Sequence, residues 1–225
     1  MCGLYSNRKI AAEVKSVFGF PEDPPFMPRE YISPGGPMEI IKGEHRKDKP
    51  CLPHFALVRW GLVPGWVKEM RTGKPLINAR AETILEKPSF KGAMKHRRCL
   101  IPADGFYEWQ GDVPGKKQPW YITRPDQSLF AFAGIWEHWM ASDGSELESA
   151  AIITTKANNT VAAIHHRMPV VIDPENYLDW LDCGRVLSTT ARKFLVAPPD
   201  DYFITEKTTV NRSIPKKKNA QLSLF

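Results

Sequence analysis

The residue best suited to covalent chemistry is Cys2, which directly follows the first methionine. A small side chain at position 2 permits removal of Met1, which leaves a free α-amine and a thiol on one residue. This amine has a reference pKa of about 8, so much of it is neutral at physiological pH and forms a Schiff base with an aldehyde. The thiol can then close a five-membered ring on the same carbon. Cys2 is therefore a candidate aldehyde-reactive site at a processed N-terminus, and the alternative at this point is an ordinary residue near a frayed chain end.

The other cysteines and the histidines do not predict a metal site. Cys51, Cys99 and Cys183 lie far apart and form no Cys-x-x-Cys pair, so we interpret them as buried structural thiols. His165 and His166 are adjacent, and neighbouring residues of a strand point to opposite faces. We therefore expect only one of these two side chains to enter a site. Neither a metal ion nor any other cofactor is expected.

Five short motifs follow Cys2 in the chain, and none of them is specific when taken alone. They are WGLVPGW at 60–66, NARAET at 78–83, RRCLIPADGFYEW at 97–109, AGIWE at 133–137 and IHHRMPV at 164–170. In this order, behind a Met-Cys-Gly start, they resemble the SRAP family, the SOS response-associated peptidases. The resemblance extends from Cys2 to about Asn211.

The resemblance implies a catalytic set of Cys2, Asn78, Glu108 and His165. It also implies a function, which is to capture abasic sites in single-stranded DNA as a covalent thiazolidine crosslink through Cys2, with some lyase-type reversal. The aromatic setting of Glu108 favours a raised pKa, which suits proton transfer. His165 is suited to donate to the sugar hydroxyl, and the amide of Asn78 is suited to orient the Cys2 amine or thiol.

DNA contacts are also implied by the resemblance. Arg80 and Arg167 are expected to bind phosphates through their guanidinium forks, and Trp66 and Trp109 are expected to stack on unpaired bases. Many family members carry arginine two residues after the nucleophilic cysteine, where this chain has Leu4. This departure puts one phosphate contact in doubt, although it leaves the covalent chemistry unchanged.

Three other functions remain open at the level of sequence. Cys2, Asn78 and His165 are also residue types that a thiol peptidase uses, and self-removal of the first residue would be a limited form of that activity. Class II glutamine amidotransferases begin with Met-Cys-Gly as well, but their later motifs are missing from the expected neighbourhood. A DNA-binding module without enzymatic activity would tolerate the loss of Cys2.

The composition is typical of a globular protein, since 42% of the 225 residues are hydrophobic and 11% are aromatic. No apolar run approaches the roughly 20 residues that cross a bilayer, and the N-terminus lacks the apolar region of a secretory signal. We therefore expect a cytoplasmic, nucleoid-associated protein without membrane contacts. The chain from Asn211 onward carries four of the six net positive charges, so the preceding residues require a local patch to bind DNA.

The segments that must position these residues predict an α+β protein. Apolar spacing favours a helix over 7–19, capped by Asn7 and stopped by Gly19. Strands are predicted at 55–60, where both faces are apolar, and at 120–123, 129–134 and 150–155, while Asp173-Pro174 predicts a helix start. We expect a single domain over 1–211 with a curved, mostly antiparallel, barrel-like sheet and short peripheral helices.

The last 14 residues, 212–225, are predicted to form a flexible basic tail. Their final five residues, QLSLF, look like the peptide that binds the bacterial replicative sliding clamp. We expect Gln221, Leu222, Leu224 and Phe225 to make this contact, since a disordered tail with an apolar end suits docking into a groove. The alternative is an apolar end that folds back onto the domain.

Overall fold

The computed structural model describes residues 2–25, 27–69, 75–113 and 116–210. Residues 212–225, where the tail and its clamp-binding peptide are predicted, lie outside the described residues. The strands of the described chain are β1 (Tyr5–Asn7), β2 (Arg29–Ile32), β3 (Pro37–Glu44), β4 (Leu52–Trp60), β5 (Asn78–Arg80), β6 (Arg98–Ala103), β7 (Gly105–Gln110), β8 (Gln118–Thr123), β9 (Phe130–Met140), β10 (Glu146–Lys156), β11 (Arg167–Pro169), β12 (Val171–Ile172) and β13 (Ile204–Lys207). The helices are α1 (Ala11–Phe18), α2 (Pro88–His96), α3 (Asn159–Ala162), α4 (Tyr177–Leu181) and α5 (Ser188–Ala191), with 3₁₀ turns at Pro174–Asn176 and Arg192–Phe194.

Five strands close into a barrel in the order β10-β4-β3-β6-β9, because β9 also pairs with β10. All of these pairings are antiparallel except β4 with β10, which run parallel through Arg59 and Trp60 opposite Ser149 and Ala150. Beyond Trp60, β5 continues the parallel pairing along β10. A further sheet has the strand order β13-β8-β7-β1-β2.

The barrel strands contribute to two hydrophobic clusters because successive side chains point to opposite faces. Ile40 and Ile152 belong to a cluster that includes Tyr5 and Phe106 from the five-stranded sheet. Their chain neighbours Ile41 and Ile153 belong to a second cluster, which is completed by Val14, Phe18 and Trp180 of the helices. The five-stranded sheet and the helices thus pack on different faces of the barrel strands.

The predicted fold class is confirmed, since the described chain is one α+β domain with a mostly antiparallel barrel and short helices. The strands predicted around 55–60, 120–123, 129–134 and 150–155 are present, and each is longer than predicted. The strand at 55–60 is not buried on both faces, however, since Leu57 is 57% exposed. No helix in the described parts of the chain is long and apolar enough to cross a membrane.

The predicted first helix is correct in its end and wrong in its start. Gly19 ends α1 in a left-handed conformation with φ 70°, which favours glycine. Asn7 does not cap the helix, because it lies in β1 opposite Arg29 and is buried. Ile10 takes the cap position instead, and its backbone N–H is bound by the Glu13 side chain at 3.2 Å. Sheet pairing therefore overrides the local capping preference of Asn7.

Candidate active site

Cys2 is fully buried and lies three residues before β1 of the five-stranded sheet. The backbone N–H of Tyr107 donates to the Leu4 carbonyl at 2.9 Å, which holds the segment before β1 alongside β7. The Cys2 thiol lies 3.9 Å from the same carbonyl. Burial, and secondly the negative charge of Glu108, raise the pKa of this thiol well above its ordinary value. The thiol is therefore protonated at neutral pH.

Glu108 lies on β7 opposite Trp120 of β8, and its side chain is on the same face of the strand as Phe106. This face is turned toward the barrel, because Phe106 contacts Phe132 of β9 with ring centroids 5.9 Å apart. Glu108 is only 3% exposed, and burial raises the pKa of its carboxyl. The environment predicted for Glu108 is present, and it makes this carboxyl a weaker acid than one in water.

Asn78 connects the barrel to the N-terminal segment. It is the first residue of β5 and lies opposite Ile152 of β10. Its amide Nδ2 donates to the Cys2 carbonyl at 2.9 Å, while its Oδ1 atom is buried without a hydrogen bond. The fold thus brings together Asn78, Cys2 and Glu108, which are distant in sequence. The contact of Asn78 is with the backbone of Cys2.

His165 and His166 do not lie in a strand, so the predicted reason for separating them is wrong. They occupy the turn between α3 and β11, and their rings stack with centroids 4.4 Å apart. His165 is half-buried and His166 is exposed. Burial raises the Glu108 pKa and the charge of His166 opposes this rise, so His166 also lies within electrostatic range of the carboxyl.

The ring of His165 has a defined orientation. Its Nδ1 atom lies 3.0 Å from both the amide nitrogen and the carbonyl oxygen of Arg167. These backbone contacts fix the ring through Nδ1. Burial lowers the pKa of this imidazole, so the neutral ring is favoured at physiological pH.

The two arginines predicted to bind phosphate are in different environments. Arg80 ends β5 and is exposed. The guanidinium of Arg167 is instead bound by both carboxylate oxygens of Glu82, at 2.6 and 2.9 Å. Leu4 is buried, so the position where many family members carry a cation is apolar. Glu82 was given no role by the sequence, although it lies within the NARAET motif.

The two tryptophans predicted to stack on bases are also placed differently. Trp66 lies in the loop between β4 and β5 and is 62% exposed, which suits an aromatic surface for an unpaired base. Trp109 is half-buried and follows Glu108 directly on β7. Since successive strand residues point to opposite faces, Trp109 lies on the other face of the sheet from the Glu108 carboxyl.

The chain forms a small barrel, and the candidate site lies where this barrel packs against the five-stranded sheet. At this place the buried Cys2 lies near the amide of Asn78 and the buried carboxyl of Glu108. The family model described as SOS response associated peptidase (SRAP) matches residues 1–215. The chain belongs to this family, and the resemblance seen in the motifs is confirmed.

Curated relatives and a solved structure extend this comparison. The chain is 48% identical over 185 residues to "Abasic site processing protein YoqW" of Bacillus subtilis (strain 168), which covers 81% of this chain and 80% of the relative. It is 36% identical over 201 residues to "Abasic site processing protein HMCES" of Gallus gallus, covering 78% of this chain and 60% of that protein. A crystal structure of a protein from Bacteroides thetaiotaomicron superposes with a TM-score of 0.79 at 26% identity, covering 92% of each chain.

Proposed function

We propose that this protein processes abasic sites in single-stranded DNA and captures them covalently through Cys2. The observation that carries the proposal is the meeting of Cys2, Asn78 and Glu108 at one buried place, with an amide hydrogen bond of 2.9 Å to the Cys2 backbone. The names of the similar proteins from Bacillus subtilis and Gallus gallus support it. The action is expected during the response to DNA damage, at nucleoid DNA in the cytoplasm.

The protonated thiol indicates the order of the chemical steps. After Met1 is removed, the Cys2 amine attacks the aldehyde carbon of the ring-opened deoxyribose, and water leaves to give a Schiff base. Buried Glu108 donates the proton that the departing water requires, which leaves the Schiff base as an iminium. The thiol sulfur then adds to the iminium carbon, and the thiol proton returns to the Glu108 carboxylate as the thiazolidine ring closes.

Asn78 and His165 support these steps without forming bonds to carbon. Asn78 holds the Cys2 backbone and therefore fixes the direction of the amine and thiol. The neutral imidazole of His165 is suited to hydrogen-bond the sugar hydroxyl. Arg80 and Trp66, which are exposed, are proposed to bind a phosphate and an unpaired base of the same strand.

A thiol peptidase is the alternative activity, and the environment of Cys2 argues against it. Nucleophilic thiols in such enzymes have lowered pKa values, because a nearby cation stabilises the thiolate. Burial, and secondly the Glu108 charge, raise the pKa of Cys2 and outweigh the positive N-terminus, which lowers it. Self-removal of Met1 is the form of peptidase activity that this site still permits.

The boundary after residue 211 and the clamp-binding role of the tail are proposals that rest on sequence. Lysines 216–218 precede an apolar end, QLSLF, in a segment of low apolar content. Such a composition favours a recognition tail that becomes ordered on its partner. The proposed partner is the replicative sliding clamp, whose groove accepts an apolar peptide.

The proposal is tested with a single-stranded oligonucleotide that carries one abasic site. The wild-type protein should lack Met1 by intact mass and should form an adduct that survives denaturing electrophoresis. Cys2→Ala should form no stable adduct, and Cys2→Ser should form little, because a hydroxyl closes the ring less readily. Cys183→Ala is the matched control for loss of a thiol and should retain full yield. Equal adduct yield from wild type and Cys2→Ala would exclude the aminothiol mechanism.

A further inference from the structure

The phosphate-binding fork of Arg167 is already occupied by a residue of the same chain. Nη1 donates to Oε1 of Glu82 at 2.6 Å, and Nη2 donates to Oε2 at 2.9 Å. Nη2 also donates to the Thr154 carbonyl at 2.7 Å. This bidentate arrangement is the one through which arginine binds a phosphate group. The carboxylate of Glu82 therefore lies where two oxygens of a DNA phosphate would bind.

The two partners differ in exposure, and the difference indicates which of them can move. The Arg167 side chain is 11% exposed, whereas that of Glu82 is 49% exposed. Arg167 is anchored further by β11, in which it lies opposite Lys156 of β10. Glu82 belongs to the turn that follows β5. An incoming anion would therefore displace the Glu82 side chain into water and leave the guanidinium in place.

We propose that Glu82 competes with DNA phosphate for Arg167 and thereby limits DNA affinity, because its carboxylate holds the Arg167 fork and a phosphate must displace it. This inference rests on the proposed function, since it concerns how single-stranded DNA enters the same site. Displacement exchanges one anionic partner of Arg167 for another. A phosphate at this position consequently adds little net attraction, and the exposed Arg80 supplies the larger share of the electrostatic attraction.

This exchange predicts an asymmetry between the two arginines. Arg80→Ala should weaken binding of single-stranded DNA, whereas the double variant Glu82→Gln/Arg167→Ala, which removes both partners of a neutral pair, should change it less than about twofold. Removing the charge of Glu82 alone should turn Arg167 into an available phosphate contact. Glu82→Gln keeps the size of the side chain and one acceptor, so the turn after β5 is preserved.

The experiment measures binding of an intact, labelled single-stranded oligonucleotide by fluorescence anisotropy at several salt concentrations. Glu82→Gln should tighten binding about three- to fivefold, the value of one exposed ion pair. It should also steepen the slope of log K against log salt by about 0.7, the contribution of one additional phosphate contact on a single strand. Both changes should disappear in the double variant Glu82→Gln/Arg167→Ala.

Glu86→Gln is the matched control, because Glu86 is an exposed carboxylate four residues further along the same turn. It should leave the salt slope unchanged. The proposal is overturned if Glu86→Gln tightens binding equally, if the effect of Glu82→Gln persists without Arg167, or if Glu82→Gln weakens binding or fails to fold. It is also overturned if no variant binds DNA.

Crosslinking to an abasic oligonucleotide is measured in parallel and tests the proposed function separately. If the wild type forms the adduct and the effect of Glu82→Gln on DNA binding does not depend on Arg167, the inference about Glu82 fails while the proposed function stands. If the effect of Glu82→Gln depends on Arg167 as expected and no adduct forms, the protein binds single-stranded DNA through Arg167 and the covalent function fails.

Discussion

Burial at the candidate site favours the neutral form of three different groups. The pKa values of the Cys2 thiol and the Glu108 carboxyl are raised, and that of the His165 imidazole is lowered. Formation of a Schiff base creates a positive charge on nitrogen, which a neutral site does not stabilise until a proton leaves Glu108. The carboxylate that remains can then stabilise the iminium. Glu108 is thus proposed to act twice, first by donating a proton to the departing water and then, as a carboxylate, by stabilising the iminium.

Replacing Glu108 by glutamine should show whether Glu108 acts in proton transfer and charge stabilisation rather than in DNA binding. Glu108→Gln retains the size of the side chain but neither donates a proton nor becomes negative, so the crosslinking rate should fall on the order of 100-fold or more. Binding of an intact oligonucleotide should change little. The measurement is the single-turnover rate of adduct formation at saturating protein. A rate within twofold of the wild type would exclude Glu108 from proton transfer.

The same substitution has a predicted effect on stability that depends on pH. Because burial raises the pKa of Glu108 above its ordinary value of 4.5, the folded state binds this proton more tightly than the unfolded state does. Its stabilising contribution is complete below about pH 4.5 and is lost as pH rises through the raised pKa. Glutamine does not ionise, so Glu108→Gln should not lose stability in this way. The denaturant midpoint of the variant minus that of the wild type should therefore increase from pH 4 to pH 8. A difference that is constant with pH would contradict the assignment.

At this scale the sequence identified the residues better than their contacts. Cys2 was proposed from its chemistry together with the family resemblance, and Asn78, Glu108 and His165 were proposed through the motifs that carry this resemblance. The contact of Asn78 with the Cys2 backbone and the pairing of Glu82 with Arg167 were not predicted, because both join segments that are separated in the chain. The stacking of His165 on His166 was missed because a turn was interpreted as a strand.

At the level of elements, a buried arginine connects the helices to the barrel. Arg98 begins β6 and is 1% exposed. Its guanidinium donates to the carbonyls of Trp180 at 2.6 Å and Met94 at 3.3 Å, which lie in α4 and α2. It also donates to the carbonyls of Asp182 and Val186 at 3.1 and 2.8 Å. Arg98 therefore satisfies carbonyl groups near the ends of two short helices.

Substitution of Arg98 should destabilise the fold without altering the site chemistry. Arg98→Met keeps an unbranched apolar stem but leaves three buried carbonyl groups and one partly buried carbonyl group without this donor, so the free energy of unfolding should fall by about 3 kcal/mol. Arg192→Met, at an exposed arginine, is the control and should change it by less than about 0.5 kcal/mol. Urea denaturation measures both. Equal stability of the two variants would show that Arg98 is not a structural connection.

Element boundaries were predictable where local chemistry decides them. Gly19 ends α1 as expected, and Asp173-Pro174 begins a 3₁₀ turn that leads into α4. Asn7 was wrongly assigned as a helix cap because its pairing with Arg29 in β2 depends on a segment more than 20 residues away. The capping preference of Asn7 is a local property, and it contains no information about pairing with a distant strand.

At the level of the whole molecule, the sequence predicted a barrel-like, mostly antiparallel sheet but not the strand pairing that closes it. The closing pair is the parallel one of β4 with β10, which joins residues about 90 positions apart. This pairing is extended by β5, and it places Asn78 beside the N-terminal segment. The site therefore depends on a topological contact that no local periodicity encodes.

The tail provides the prediction that is independent of this architecture. No candidate catalytic residue lies after residue 211, so truncation after Ala220 should leave adduct formation on a free oligonucleotide unchanged. The same truncation should abolish binding to the cognate sliding clamp, for which we expect micromolar affinity, about −7 to −9 kcal/mol. Leu224 and Phe225 should be the apolar anchors of this contact, and Gln221 should fix its register.

The clamp contact can be measured by isothermal titration of the full-length protein, the truncated protein and a synthetic peptide of residues 211–225. Leu224→Ala with Phe225→Ala should reproduce the truncation, whereas Ser223→Ala should retain binding as the control within the same peptide. Thermal denaturation of the truncated protein should match that of the full chain. If truncation lowers the melting temperature, or the peptide does not bind the clamp at high micromolar concentration, the tail belongs to the folded domain and the recruitment role is wrong.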